Sequence, residues 1–284
     1  MDNSKRSTYI IAAISLLVIV AAVYFLFIFQ KSPKKVKIDE GLDNVKTVEE
    51  LEVSKRPFVT LTPTSNGAEI IISIEKMGEF DKIEYELTYL ADNPQIPGQK
   101  IERGATGTDV NTRDQKYKKS MLLGTASKGV RSPDKGIEGG KLTLHMFDGD
   151  TEYKSVTAWD LIEAGQTKGE IEEQNGKLTW SIPALGQNYW IIIADTVGLP
   201  AKDGGFDTKN LILPVFGTFS VAPKFASPGT VTIKVNSDSQ DLSLYSYNHQ
   251  DETWQKVNSK YDSAAKTVSA TTGTFSTYVV VSSK

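Results

Sequence analysis

Lys82-Ile83-Glu84-Tyr85-Glu86-Leu87-Thr88-Tyr89 is the stretch on which the fold turns. Ile83, Tyr85, Leu87 and Tyr89 alternate with Glu84, Glu86 and Thr88. A strand turns successive side chains to opposite faces, so this period of two gives one buried and one wet face. The pattern extends both ways. Upstream, 58–62 reads as a strand closed by Pro63, and 68–74 follows an Asn66-Gly67 turn. Downstream, 120–123 precedes Gly124, and Leu142, Leu144 and Met146 alternate up to Asp148-Gly149. Residues 152–159 complete that hairpin. Between these, 92–119 is rich in Gly, Pro and charge and is expected to be an irregular insert.

A second set of strands begins after Gly165. Leu178, Trp180 and Ile182 follow an Asn175-Gly176 turn. Residues 189–194 are continuously apolar, which predicts a central strand buried on both faces. Further strands are expected at 211–215, 218–221, 231–235, 242–247, 254–257, 267–270 and 274–281. Many short strands at this spacing, with little helix signal, give an all-β class and point to β-sandwiches. The region exceeds one seven-strand sandwich, so two β-sandwich (Ig-like) domains are expected, 57–165 and 166–284. Gly-Thr-Phe-Ser occurs at 217–220 and again at 273–276; four residues are little basis for a repeat.

Composition narrows the function. The 284 residues are 39% hydrophobic, enough to bury a core. A net charge of −3 argues against nucleic acid as a partner, since that binding rests on neutralising phosphates. With no Cys, there is no disulfide framework, thiolate metal site or Cys nucleophile.

Residues 8–29 (TYIIAAISLLVIVAAVYFLFIF) carry no charge, Gly or Pro. At ~1.5 Å per residue the run is long enough for a hydrocarbon core of about 30 Å. Its length and the absence of a small-residue cleavage site after it distinguish it from a cleaved signal peptide. Residues 1–30 are therefore read as a cytoplasmic tail and single transmembrane helix, with residues 8–29 in the lipid bilayer. Lys31, Lys34, Lys35 and Lys37 follow the run and Lys5 and Arg6 precede it, which by charge alone favours the opposite orientation. Long domains translocate largely regardless of flanking charge, and the β-rich remainder has an exported character. The expected localisation is the cell membrane, single-pass, with extracellular C-terminal domains. Residues 31–56 are dense in charge and read as a solvated, partly helical stalk; Thr47 and Glu50 fit a capping box.

No chemistry-bearing motif stands out. His145 and His249 lie far apart, the first on the polar face of a strand and the second in a hairpin turn. There is no H-E-x-x-H, P-loop or G-x-S-x-G. The Ser-x-x-Lys pairs Ser32/Lys35 and Ser263/Lys266 fall in the stalk and in a turn, where no buried lysine is expected. Asp148/Asp150 and Asp238/Asp241 read as turn chemistry rather than calcium ligands. Trp180, Tyr189 and Trp190 could form a sugar-binding platform, but their pattern favours core. No catalytic, cofactor-binding or metal residue is assigned, and no cofactor is expected.

The C-terminal stretch contains Thr253-Trp254-Gln255-Lys256-Val257, Val268-Ser269-Ala270 and Phe275-Ser276-Thr277-Tyr278-Val279-Val280. It resembles β-sandwich modules of membrane-anchored bacterial surface proteins that end in an F-S-x-Y-x-V strand, and is faintly similar to ZU5/GAIN-type domains. The self-cleaving members of the latter carry His-Leu-Ser/Thr at this place. Here Thr272-Gly273-Thr274 stands instead, so no self-cleavage is implied. Residues 82–89, 103–104, 122–124 and 142–144 resemble Ig-like domains of membrane-anchored bacterial proteins. These resemblances imply a surface scaffold that contacts a protein, a glycan or the cell wall without catalysing a reaction. The alternatives are a surface-anchored hydrolase or carbohydrate-active enzyme, or a pilin-like subunit.

Overall fold

A computed structural model describes residues 44–283, apart from 184, 187, 201, 202, 222–224, 238 and 240. The expected transmembrane helix and residues 31–43 of the expected stalk lie outside the described residues. Among those described, no helix is long and apolar enough to cross a membrane. The described residues are all-β, in several sheets. In chain order the first ten strands are β1 (Val45–Thr47), β2 (Phe58–Pro63), β3 (Glu69–Glu75), β4 (Lys82–Asp92), β5 (Lys100–Val110), β6 (Lys116–Leu122), β7 (Gly124–Ser127), β8 (Val130–Pro133), β9 (Glu138–Asp148) and β10 (Thr151–Glu163). Then follow β11 (Glu170–Glu172), β12 (Leu178–Ser181), β13 (Trp190–Thr196), β14 (Leu211–Phe219), β15 (Gly229–Lys234), β16 (Leu242–Asn248), β17 (Thr253–Val257), β18 (Ser259–Asp262), β19 (Thr267–Thr272) and β20 (Thr277–Ser282).

One long sheet runs in the order β17-β16-β20-β14-β13-β10-β9-β4-β5, with β1 added parallel beside β10. A three-stranded sheet (β2-β3-β6) and a five-stranded sheet (β11-β12-β15-β19-β18) pack on it. β13 shows how. Ile192 and Ala194 belong to one hydrophobic core, with Leu61, Ile72, Leu87, Leu144 and Trp159. Ile191 and Ile193 belong to another, with Leu178, Trp180, Val231, Val268 and Tyr278. Adjacent residues of a strand point to opposite faces, so the two smaller sheets cover opposite faces of the long one. Both meet at β13, which explains why its sequence has no polar face. β20 is likewise double-sided: Tyr278 and Val280 face the second core, while Val279 and Val281 face a third cluster with Val53, Leu199 and Val215.

The sequence reading divides 57–165 from 166–284. The β10–β13 ladder, Trp159↔Ala194 to Glu163↔Trp190, carries one sheet across that line, and Val45–Lys284 forms one compact unit.

Two segments differ from expectation. Residues 45–56 are part of the fold rather than a solvated stalk. Val45–Thr47 pair with Glu152–Lys154, Val48 enters the first core and Val53 the third cluster. The Arg56 side chain is buried and donates to the backbone: Nε to Leu51 O (3.0 Å), and Nη2 to Leu51 O (2.9 Å) and Glu49 O (3.3 Å). The charge density that suggests a solvated linker conceals a cation whose hydrogen bonds are spent on its own segment. Thr47 N does donate to Glu50 Oε1 (3.3 Å), but what it starts is a three-residue 3-10 turn, not a longer helix.

The segment 92–119 is not irregular. It contains β5, eleven residues long, and the start of β6. β5 lies at the edge of the long sheet, and its one buried residue is Gly107. Cross-strand from that glycine, the Tyr85 ring fills the space a side chain would occupy. Burial alternates along β5, but its inner positions are Ile101, Arg103, Ala105 and Gly107, so the hydropathy of the sequence does not follow it.

Candidate functional site

The three-stranded sheet turns Ile70, Ile72 and Ile74 into the first core. The intervening residues of β3 must therefore face outward. Strand register arranges that outer face in cross-strand rows: Phe58–Glu75–Lys116, then Thr60–Ser73–Lys118. These rows form one wall of a cleft of about 430 Å³. The opposite wall comes from the end of β14 (Thr218, Phe219), Thr274 and Phe275 before β20, and the turn after β16 (His249, Gln250, Glu252). The volume lies in the range of small-ligand sites, about 300–1,000 Å³.

Hydrogen bonds stitch the second wall together. Thr218 N and Oγ1 both donate to Ser276 O (2.9 and 3.0 Å), and Ser276 N donates to Thr218 Oγ1 (3.0 Å). Ser276 Oγ donates to Tyr247 O (2.6 Å). The two copies of Gly-Thr-Phe-Ser are thus bonded side by side, and each contributes its Thr and Phe to the cleft.

His249 sits among three rings. It stacks on Phe58 (centroids 6.2 Å apart, 14° between planes) and meets Phe219 and Tyr247 edge-on at 5.6 and 5.2 Å. Crowding by these neighbours lowers its pKa to about 4, and the Lys116 charge adds to the effect. The ring nevertheless keeps solvent access through the cleft. The imidazole is neutral at neutral pH, with one donor and one acceptor nitrogen. Nε2 lies 3.2 Å from Thr277 Oγ1. Thr277 is fully buried, so that hydroxyl has no path to a substrate and the pair is not a nucleophile with its base. Burial, with Glu252 and Glu75 nearby, pushes the Tyr247 hydroxyl up to about 12. Glu75 itself is engaged by Lys116, 2.6 Å away.

The residues weighed from the sequence fall in different places. His145 is on β9 and its Nδ1 lies 2.6 Å from Glu152 Oε1 across the β9–β10 ladder, away from the cleft. Trp180 is fully buried, edge-on to Phe225, Phe275 and Tyr278, so it belongs to the core rather than to a platform. Trp190 lies over the Gly67 turn. Asp148 and Asp150 flank the β9–β10 turn, and Ser263 lies in the β18–β19 turn with Lys266. Asp241 is exposed; Asp238, Ser32 and Lys35 lie outside the described residues. Among the described residues no three His, Asp or Glu side chains are grouped to hold a metal ion. His249 gives no motif signal, because its neighbours come from β2, β14 and β16.

A second polar cluster lies between the long sheet and the β11–β12 hairpin. Burial, helped by the nearby Glu173 charge and opposed by Lys177, raises Asp195 to about 6, and its Oδ1 has no hydrogen-bond partner. The native state then holds a proton that the unfolded chain has released, between about pH 4 and 6. Stability falls as pH rises through that window, and the cost is complete above it. Asp195→Asn is expected to stabilise the protein at pH 7 by roughly 2 kcal/mol and to have little effect near pH 4. Denaturant melts of both proteins at the two pH values check this; equal gains at both would show that the carboxylate charge is not the cause.

No protein-family model matches the chain, and no curated protein is similar enough to match it.

Proposed function

We propose that this is a single-pass, membrane-anchored extracellular protein with Ig-like β-sandwich architecture and a non-enzymatic binding role at the cell surface. The observation that carries the placement is the uncharged run 8–29, long enough to span a bilayer. The sheet-on-sheet packing from Val45 onward supports the sandwich reading, and the cleft between two sheets supports a binding role. Protease treatment of intact cells tests the placement. It should remove the region from Val45 onward and leave a short membrane-embedded fragment; full protection, or recovery of the intact chain as a freely soluble species, overturns it.

The hydrolase alternative has one observation in its favour: Glu75 and Glu252 both line the cleft. It requires turnover of a chromogenic glycoside that disappears in both Glu75→Gln and Glu252→Gln. Turnover surviving either change would exclude the pair as its acid and base.

A further inference from the structure

We propose that the cleft between the three-stranded sheet and the β14/β20 wall binds an uncharged carbohydrate, with Ser73 as a central hydrogen-bonding group. This deepens the binding role proposed above and does not depend on the membrane placement. Ser73 lines the cleft and is only 7% exposed, and its Oγ has no hydrogen-bond partner. A buried hydroxyl without a partner is costly, and native proteins rarely leave one. Its Oγ is closed off as the side chain stands, so a ligand hydroxyl entering the cleft supplies what is missing once the Ser73 side chain turns towards it.

The surroundings select the ligand class. Thr60 stands beside Ser73 in the same cross-strand row, and the exposed Thr274 faces the cleft from the other wall. Hydroxyl groups both donate and accept, so they match a partner that does the same. The exposed His249 ring and the half-buried Phe275 ring add flat surface at the cleft, suited to the C–H faces of a pyranose. The formal charges balance: Lys116 and Lys118 stand against Glu75 and Glu252, and Lys116 is already bonded to Glu75. With His249 neutral, the cleft has no surplus cation to draw an anion.

The test uses the full chain in a polyoxyethylene detergent, which has no sugar headgroup to compete. Maltose, cellobiose, lactose and N,N′-diacetylchitobiose are titrated by saturation-transfer NMR, with glucuronate as the anionic comparator. At least one neutral disaccharide is expected to bind with a Kd at or below about 1 mM. Ser73→Ala should weaken it by about tenfold while leaving the thermal midpoint unchanged or higher, a combination that a purely structural serine would not give. Lys118→Met should leave it within about twofold, as for an exposed residue facing an uncharged ligand. Thr60→Val serves as a second probe of the same row and should also weaken binding.

Binding of glucuronate alone, abolished by Lys118→Met, would replace the proposal with an anion site. Failure of all four sugars to bind natively folded protein would overturn it outright. Neither result touches the protease experiment, and a soluble chain in that experiment leaves the sugar titrations standing.

Discussion

Trp180→Ala is expected to lower the unfolding free energy by about 3–5 kcal/mol, the range for deleting a large buried aromatic. Trp180 is fully enclosed on β12 and meets three rings edge-on: Phe225 at 5.5 Å, Tyr278 at 5.8 Å and Phe275 at 6.0 Å. Phe225 is distant in sequence from Phe275 and Tyr278, and Phe225 and Phe275 also pack on each other at 4.7 Å. Collapse into the void would break all of these contacts, so the cavity should persist. Because β13 belongs to both cores, loss of one core should also be felt in the other. Chemical denaturation followed by tryptophan fluorescence and far-UV circular dichroism should give one coincident transition, shifted to lower denaturant. Two separated transitions, the earlier alone moved by the substitution, would show that the two cores unfold independently.

Gly140→Ala is expected to cost about 3 kcal/mol, the upper part of the range for overpacking. Gly140 on β9 is the cross-strand partner of Trp159 on β10. A Cβ there would lie 2.4 Å from the indole Cδ2 and Cε2 and 2.5 Å from Trp159 O. The indole cannot retreat, since it is fully buried beside Tyr89 at 6.0 Å. The backbone is also held, because Gln174 Nε2 donates to both Trp159 O (2.9 Å) and Gly140 O (3.3 Å). A double-mutant cycle with Trp159→Leu isolates the clash. The alanine should cost markedly less in the leucine background, and strict additivity of the two changes would place its cost elsewhere.

Strands with a half-buried face were readable because their alternation is local. β4 and β9 carry that alternation, and the apolar run in β13 reflects two covered faces. β5 was not readable, because the group that fills its surface at Gly107 is Tyr85 on another strand. The fold of residues 45–56 was hidden for a related reason: the partners of Val48 and Val53 lie far along the chain, and Arg56 looks like an ordinary surface charge. The cleft was the least visible feature. Its Ser73 sits in the run Ile70-Ile71-Ile72-Ser73-Ile74, where a serine signals nothing by itself. The duplicated Gly-Thr-Phe-Ser is the one local clue, and four residues carry little weight by themselves. The hydrogen bonds between Thr218 and Ser276 give it a place.

Arg56 has a mechanical consequence. Its guanidinium fastens the loop at Glu49 and Leu51, and only Pro57 separates it from β2. β2 supplies Phe58, Thr60 and Thr62 to the cleft. Tension applied upstream of Val45 first meets the short β1–β10 ladder and then this fastening. Once both yield, the pull falls directly on the strand that forms the cleft wall.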